Sequence, residues 1–118
     1  MRKNSVYHFP YEDGACYCGQ TSRPISFRTK EHADGVRLQR CEKSHVAAHS
    51  WKHNTRPQFD QAQPLLFEKI TAKRLVKEAL LIRTLPDCVA KPSIDVPSQW
   101  HRLCLPALCG LLPNTNQS

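Results

Sequence analysis

Near its start, the chain carries two short runs of strand-forming residues that flank an Asp-Gly pair. The first run covers residues 6–9 and contains Tyr7, and the second covers residues 15–20 and contains Tyr17. Asp13-Gly14 between them is a strong hairpin signal, because both residue types tolerate the positive φ angles that tight strand connections need. The sequence therefore predicts an antiparallel hairpin with one tyrosine on each strand.

The rest of the chain predicts three helices and one more strand. The first helix is expected over residues 25–33, with Pro24 before it and Asp34-Gly35 closing it. The second is expected over residues 44–53, with Ser44 as N-cap. A third strand over residues 64–67 and a helix over residues 71–85 follow, and Pro86 ends that helix.

Apolar spacing predicts which helix faces turn inward. The second helix is expected to bury Val46, Ala47, Ser50 and Trp51, and the last helix is expected to bury Ala72, Leu75, Val76, Ala79 and Ile82. After Pro86 the chain is proline-rich and predicts an irregular segment, folded back through Trp100 and Leu103.

Length and charge limit the classes of function. The 118 residues argue for one domain, and a hydrophobic content of 40% excludes the disordered class. Seventeen Lys and Arg against ten Asp and Glu give a net charge of +7. This excess favours a polyanionic partner such as nucleic acid or an acidic membrane surface, although a basic surface also serves general solubility.

Cysteine usage and the lack of long apolar runs indicate the compartment. Six cysteines are too few for a disulfide scaffold, residues 1–5 lack the apolar core of a signal peptide, and no run is long enough to span a membrane. We therefore expect an intracellular protein, nuclear or cytoplasmic, not secreted, with its thiols free or metal-bound.

Five residues have the types and spacing of a site that acts on phosphate. Arg28 and His32 are four apart, so both face the same side of one helix. The planar guanidinium of arginine suits phosphate, and histidine can orient or deprotonate a neighbouring group. Tyr7 and Tyr17 belong to the hairpin, and Glu78 lies on the last helix.

The order and spacing of these residues resemble the GIY-YIG endonuclease family. The likeness is greatest to the domain at the end of Penelope-like retroelement reverse transcriptases, and it covers roughly residues 5–100. It is carried by these pieces: Val6-Tyr7, Tyr17-Cys18-Gly19-Gln20-Thr21-Ser22-Arg23, Arg28-Thr29-Lys30-Glu31-His32, Val46-Ala47-Ala48-His49-Ser50-Trp51 and Arg74-Leu75-Val76-Lys77-Glu78-Ala79.

The resemblance implies an α+β fold with a small three-stranded antiparallel sheet flanked by three helices. It also implies metal-dependent hydrolysis of DNA phosphodiesters, with Tyr7, Tyr17, Arg28 and His32 as catalytic residues. Glu78 would be the single carboxylate that holds Mg²⁺ or Mn²⁺. No small-molecule cofactor and no membrane partner are expected, and residues 101–118 are expected to form an irregular tail.

Each of these residues also suits an ordinary structural role. Tyr7 and Tyr17 are compatible with packing across a hairpin, and Arg28 with an exposed ion pair to Glu31. Where the family pattern ends in an asparagine, the alignment places Ala90. The predicted function is therefore a DNA endonuclease domain, derived from a retroelement, and the alternative is a catalytically degenerate domain that binds nucleic acid.

Zinc is a second cofactor that the resemblance raises. The related domains carry a Cys/Cys/His/His site, but Tyr11 stands where one cysteine is expected. A substitute set would be Cys16, Cys18, His32 and His49. A local alternative is the stripe of Cys41, His45, His49 and His53 at a spacing of four, which also suits an exposed polar helix face.

Basic residues near these motifs predict a nucleic-acid surface. The candidates are Arg23, Lys30, Arg74 and Lys77. A solvated helix face is the alternative for such charge runs. Cys88, Cys104 and Cys109 are expected to be small apolar core residues.

Overall fold

A computed structural model describes residues 2–97, 99 and 100. The predicted irregular tail, residues 101–118, which includes Leu103, lies outside the described residues. The elements in chain order are β1 (Ser5–Pro10), β2 (Cys16–Thr21), α1 (Ile25–Arg37), α2 (His45–His53), β3 (Gln63–Phe67) and α3 (Thr71–Thr84), with a short 3-10 helix at Phe59–Gln61. The three strands form one antiparallel sheet in the order β2-β1-β3. The predicted α+β arrangement of three strands and three helices is confirmed.

The predicted hairpin joins β1 to β2. Tyr7 pairs with Gly19 and Phe9 pairs with Tyr17. Gly14 has a φ of 93°, and the Asp13 carboxylate accepts the N–H of Ala15 at 3.0 Å. The Asp-Gly pair thus supplies both the left-handed residue and the side-chain acceptor that close the turn.

Strand alternation gives the sheet two different faces. Tyr7, Phe9 and Tyr11 pack with Val46 of α2 on one face, which we call the aromatic face. Val6 and Cys18 pack with an aliphatic row of α3 on the other, which we call the aliphatic face. That row comprises Ala79, Leu80, Leu81 and Ile82. Each face buries its own core, as period-two side-chain placement requires.

Helix α1 runs further than the sequence predicts. It continues through Asp34 and Gly35 to Arg37, so the expected stop at Asp34-Gly35 is wrong. Gly35 is buried, and a side chain there would meet only Ser44 at ordinary contact distance, 3.7 Å. A helix tolerates such a glycine at a modest cost when nothing else ends it.

Helix α2 begins and ends as its sequence indicates, with one inward residue corrected. The Ser44 hydroxyl accepts the N–H of Ala47 at 3.2 Å, which confirms the N-cap. Val46, Ala47 and Ser50 are buried, whereas Trp51 is 49% exposed. The Trp51 indole N–H donates to the main-chain oxygen of Val36 at 2.7 Å, so it covers the end of α1.

Helix α3 buries polar residues beside its apolar row. Arg74 and Glu78 are buried, whereas Ala72, which the apolar spacing predicts to face inward, is exposed. After Pro86 the chain forms no helix or strand up to residue 97 apart from one isolated bridge between Cys88 and Cys16. Trp100 is exposed and lies beside Val76 and Leu80. Within the described residues, no helix has the length and apolar character to cross a membrane.

Candidate functional site

Two tyrosines and a histidine form the centre of the aromatic face. Tyr7 is fully buried on the middle strand, and its hydroxyl hydrogen-bonds to Nε2 of His32 at 2.8 Å. The ring of Tyr17 lies 6.4 Å from that of Tyr7 and 5.1 Å from that of His32, between centroids. The structure therefore brings together three of the four predicted catalytic residues.

Gly19 allows the side chains of Tyr7 and Tyr17 to pack closely together. A Cβ atom at that position would lie 2.7 Å from the Tyr7 hydroxyl and 2.9 Å from Cε2 of Tyr17. Such distances lie well inside van der Waals contact, so any side chain would push the two rings apart. A glycine is required here because the two tyrosine side chains lie so close to its Cα, and not because of its backbone angles.

Burial fixes the protonation states of these groups. Desolvation raises the pKa of Tyr7 and raises that of Tyr17 to about 12, while the nearby Arg28 lowers both in part. Desolvation, with a smaller contribution from Arg28, lowers the pKa of His32 to about 3. At neutral pH, both phenols are therefore protonated and the imidazole is neutral.

Arg28 brings a positive charge to the edge of the cluster. It lies one helical turn before His32 on α1 and is partly exposed. Its guanidinium contacts the Glu31 carboxylate at 3.4 Å, and Arg23 forms a second ion pair with the same carboxylate. Glu31 therefore bridges two arginines where a phosphate could be bound by their forked N–H groups.

A cleft opens beside these residues. It has a volume of about 380 Å³ and lies between α1, the loop that follows it, and the start of α2. Its wall carries three cationic residues, Arg28, Arg40 and Lys43, and two carboxylates, Glu31 and Asp34. The other ionisable wall residues are Tyr17, His32 and His45. A groove with this composition can accept an anionic backbone.

Glu78 approaches the tyrosines from α3, at the edge strand β2. Its Oε1 accepts the N–H of Ser93 at 3.2 Å, and further hydrogen bonds come from the Ser93 side chain and the N–H of Gln20. Burial raises the pKa of Glu78, with these hydrogen bonds opposing the rise. Its charge also contributes to the raised pKa values of Tyr7 and Tyr17, although α3 packs on the aliphatic face of the sheet and the tyrosines lie on the aromatic face.

Glu78 is the one predicted magnesium ligand, and its chemistry fits a weakly held ion. Mg²⁺ commonly keeps several waters and takes one or two carboxylate ligands, so a single carboxylate suits it. Glu78 is 4% exposed, and its Oε1 accepts the N–H of Ser93.

The predicted nucleic-acid residues differ in exposure. Arg23 and Lys30 are exposed, and Arg23 pairs with Glu31, whose carboxylate also contacts Arg28. Lys77 is ion-paired with Glu68 at 2.6 Å. Arg74 is only 3% exposed, and its guanidinium donates to Gln20 and Asn4 side chains and to the Glu68 carbonyl. The structure thus gives Arg74 an internal role in place of the predicted surface role.

The predicted zinc ligands point to different partners. His49 Nε2 lies 3.0 Å from the Asp13 carboxylate, and the Cys16 thiol donates to the carbonyl of Pro86 at 3.6 Å. In the alternative stripe, the rings of His49 and His53 lie 4.6 Å apart. Within residues 2–97, 99 and 100, no group of three or more His, Cys, Asp or Glu side chains is placed to hold a metal ion. Zinc therefore stays a prediction.

Some site residues carry no local sequence signal. Ser93 and Gln20 act on Glu78 partly through their main-chain N–H groups, which no residue pattern reveals. Cys88 is expected in the core, and its partly buried side chain packs against the aliphatic core, whereas Cys104 and Cys109 lie outside the described residues. Ala90 packs against the aliphatic core, and its N–H contacts Cys88.

Comparisons with known proteins leave the family open. No family model matches the chain, and neither a curated protein nor a solved structure matches it. The family resemblance of the sequence is therefore neither supported nor opposed by these comparisons, and function has to be inferred from the geometry of the site.

Proposed function

We propose that the protein is a GIY-YIG-like DNA endonuclease domain, derived from a retroelement, that hydrolyses phosphodiester bonds with a divalent metal. The observation that carries this proposal is the cluster of Tyr7, Tyr17 and His32, with a Tyr7–His32 hydrogen bond, beside a cleft whose wall includes Arg28. These groups come from two strands and one helix, and core packing alone does not require such a polar pair beside a cleft. Glu78 on α3 is the metal ligand that the family resemblance adds.

Each residue supplies a distinct function in the proposed reaction. Arg28 would bind a phosphate oxygen in place of Glu31, because a guanidinium pairs with phosphate through two parallel hydrogen bonds. Tyr17, whose phenol stays protonated at neutral pH, would donate a hydrogen bond to the phosphate or the attacking water. A divalent cation held by Glu78 would polarise the phosphoryl oxygen and stabilise the leaving oxygen.

His32 serves mainly to position Tyr7 in this scheme. A neutral imidazole with a pKa of about 3 is a weak base, but it is a good hydrogen-bond partner for a phenol. The pair is enclosed by Phe9 and Tyr17, so its geometry is fixed before any substrate binds. Preorganised dipoles of this kind contribute most when water is excluded.

The test is Mg²⁺-dependent nicking of supercoiled DNA by the purified protein. Glu78→Gln and Arg28→Ala should each lower the rate by about 100-fold or more, the cost of losing one transition-state contact. The matched controls are Asp60→Asn, which removes one exposed carboxylate, and Arg37→Ala, which breaks a similar i,i+3 ion pair on α1. Equal nicking by the Glu78→Gln protein and the wild type would remove the metal assignment.

A second candidate function is nucleic-acid binding without catalysis. Two observations favour it: Ala90 packs in the aliphatic core where the family pattern has an asparagine, and Glu78 is only 4% exposed. In that case the cleft of Arg28, Arg40 and Lys43 would bind DNA with an affinity that falls steeply with salt. Salt-dependent binding with no nicking in Mg²⁺ or Mn²⁺ would select this candidate over the nuclease.

A further inference from the structure

Two cysteines that are distant in sequence meet at the outer edge of β2. Cys16 and Cys88 form an isolated parallel bridge, in which the N–H of Cys16 donates to the main-chain oxygen of Asp87 at 3.1 Å and the N–H of Val89 donates to the main-chain oxygen of Cys16 at 2.9 Å. We propose that Cys16 and Cys88 form a two-thiol modification site, which a peroxide oxidises to a disulfide.

The backbone geometry suits a disulfide. Paired residues on neighbouring strands lie about 4.7–4.9 Å apart, and the Cα atoms of a disulfide are usually about 4.4–6.8 Å apart. The two side chains lie on the same side of the bridge, and both pack against the aliphatic core. No large movement of either strand is therefore needed to bring the two sulfurs together.

The other described cysteines are less suited to forming a disulfide with a neighbouring thiol. Cys18 follows Cys16 by two residues on the same side of β2, but it is almost fully buried. Cys41 is exposed, and its thiol lies 3.9 Å from the carbonyl of Ala47. Cys16 and Cys88 are each half-buried, so a small oxidant can reach them.

The reaction balances with hydrogen peroxide as the oxidant. The Cys88 sulfur attacks one peroxide oxygen, the O–O bond breaks, and the departing hydroxide takes the thiol proton to leave as water. The resulting sulfenic acid is attacked by the Cys16 sulfur, the S–O bond breaks, and a second water leaves. The two sulfurs together lose two electrons, which reduce the peroxide.

The disulfide would add a covalent link to a segment that has no regular secondary structure. Residues 86–97 have no helix or strand beyond the Cys16–Cys88 bridge, and they include Ser93, which donates to Glu78. A covalent link at Cys88 would hold this segment against β2. Slower hydrogen exchange at the Ser93 amide is the expected local result.

The first test maps the disulfide in the whole chain without any substitution. The protein is treated with hydrogen peroxide, alkylated, digested with trypsin without reduction and analysed by mass spectrometry. The expected product joins the Cys88 peptide to the peptide that carries Cys16 and Cys18, with fragmentation placing the link at Cys16. A dominant link to Cys104 or Cys109, or overoxidation of Cys88 with no link, would overturn the proposal.

The second test measures the thermal midpoint before and after oxidation. A bridge that closes such a long loop should raise the midpoint on the order of 10 °C. Cys88→Ser should lose this rise, and Cys41→Ser, an exposed control, should keep it. An equal rise in the Cys88→Ser protein would assign the effect to another pair. Neither test depends on nuclease activity, so the two proposals fail or stand separately.

Discussion

The two faces of the sheet differ in whether the same residues form both the hydrophobic core and the candidate site. On the aromatic face they are the same residues, because Tyr7 is both a fully buried core side chain and the hydrogen-bond partner of His32. On the aliphatic face they are separate, because Leu81 and its neighbours form the core while Glu78 lies at the edge strand. Substitutions on the aromatic face should therefore affect stability and site together, whereas the aliphatic face should allow the two to be changed separately.

The largest effect should come from acid acting on His32. Its pKa is about 3 in the folded protein against 6.5 in the unfolded chain, so only the unfolded chain binds a proton between these values. Stability should therefore fall as the pH falls through this window, by on the order of 4 kcal/mol in total. Urea unfolding at a series of pH values measures this slope.

The source of that slope can be isolated by substitution. His32→Gln keeps a side-chain partner for Tyr7 but cannot ionise, so it should reduce the slope in this window to the part that comes from other groups, such as the buried His8, whose pKa is also lowered by desolvation. His45→Gln changes an exposed histidine of the same cleft and should retain the wild-type slope. A wild-type slope in the His32→Gln protein would show that the aromatic face is not the acid-sensitive one.

The second effect in size should come from Gly19. Gly19→Ala forces a Cβ to within 2.7 Å of the Tyr7 hydroxyl, and such overpacking costs about 2 kcal/mol of unfolding free energy. Gly35→Ala is the control, because its Cβ meets Ser44 at 3.7 Å and the helix gains about 0.5–1 kcal/mol. Urea unfolding should thus give opposite signs for two identical substitutions, and equal signs would contradict the packing of the tyrosine pair.

A smaller effect of opposite pH dependence should come from Glu78. Burial raises its folded-state pKa, so the folded protein holds a proton that the unfolded chain releases. The contribution of Glu78 to stability should therefore fall as the pH rises above the ordinary carboxyl value. The stability of Glu78→Gln relative to wild type should rise over the same range in urea unfolding, and a difference that is independent of pH would contradict the buried position of the carboxylate.

The smallest effect on stability should come from Glu31. Its ion pairs with Arg23 and Arg28 are largely exposed, so Glu31→Gln should change the unfolding free energy by less than about 0.5 kcal/mol. On the proposed function, the same variant should bind duplex DNA several-fold more tightly in fluorescence anisotropy, because Arg28 no longer has a competing carboxylate. Asp60→Asn, which removes an exposed charge elsewhere, should bind as wild type does.

Local signals predict the hairpin and the capped helix well. Asp13-Gly14 and Ser44 act through contacts within a few residues, and both behave as their types indicate. The predicted end of α1 at Asp34-Gly35 is wrong because a glycine ends a helix only when the chain after it leaves the helical conformation, and here the helix continues to Arg37. The inward placement of Trp51 is wrong because its indole N–H has a partner in the last turn of α1, which a count of apolar spacing ignores.

Sequence patterns do not predict contacts between residues that are far apart in the chain. Arg74 has the spacing of a surface charge, but acceptors on Gln20, Asn4 and the Glu68 carbonyl hold it inside. The meeting of Cys16 with Cys88 depends on where the chain turns after α3, and no periodicity records that turn. The types and spacing of Tyr7, Tyr17 and His32 are informative because the hairpin and one helix place all three.

The sheet order has a consequence for how the chain assembles during synthesis. β1 pairs with β2 across a short turn, whereas its pairing with β3 joins Ser5 to Phe67. The two tyrosines can therefore come together by closing a small loop, but Glu78 can pack at β2 only after α3 has left the ribosome. The two tyrosines of the candidate site would thus come together early in translation, and the Glu78 carboxylate would join them later.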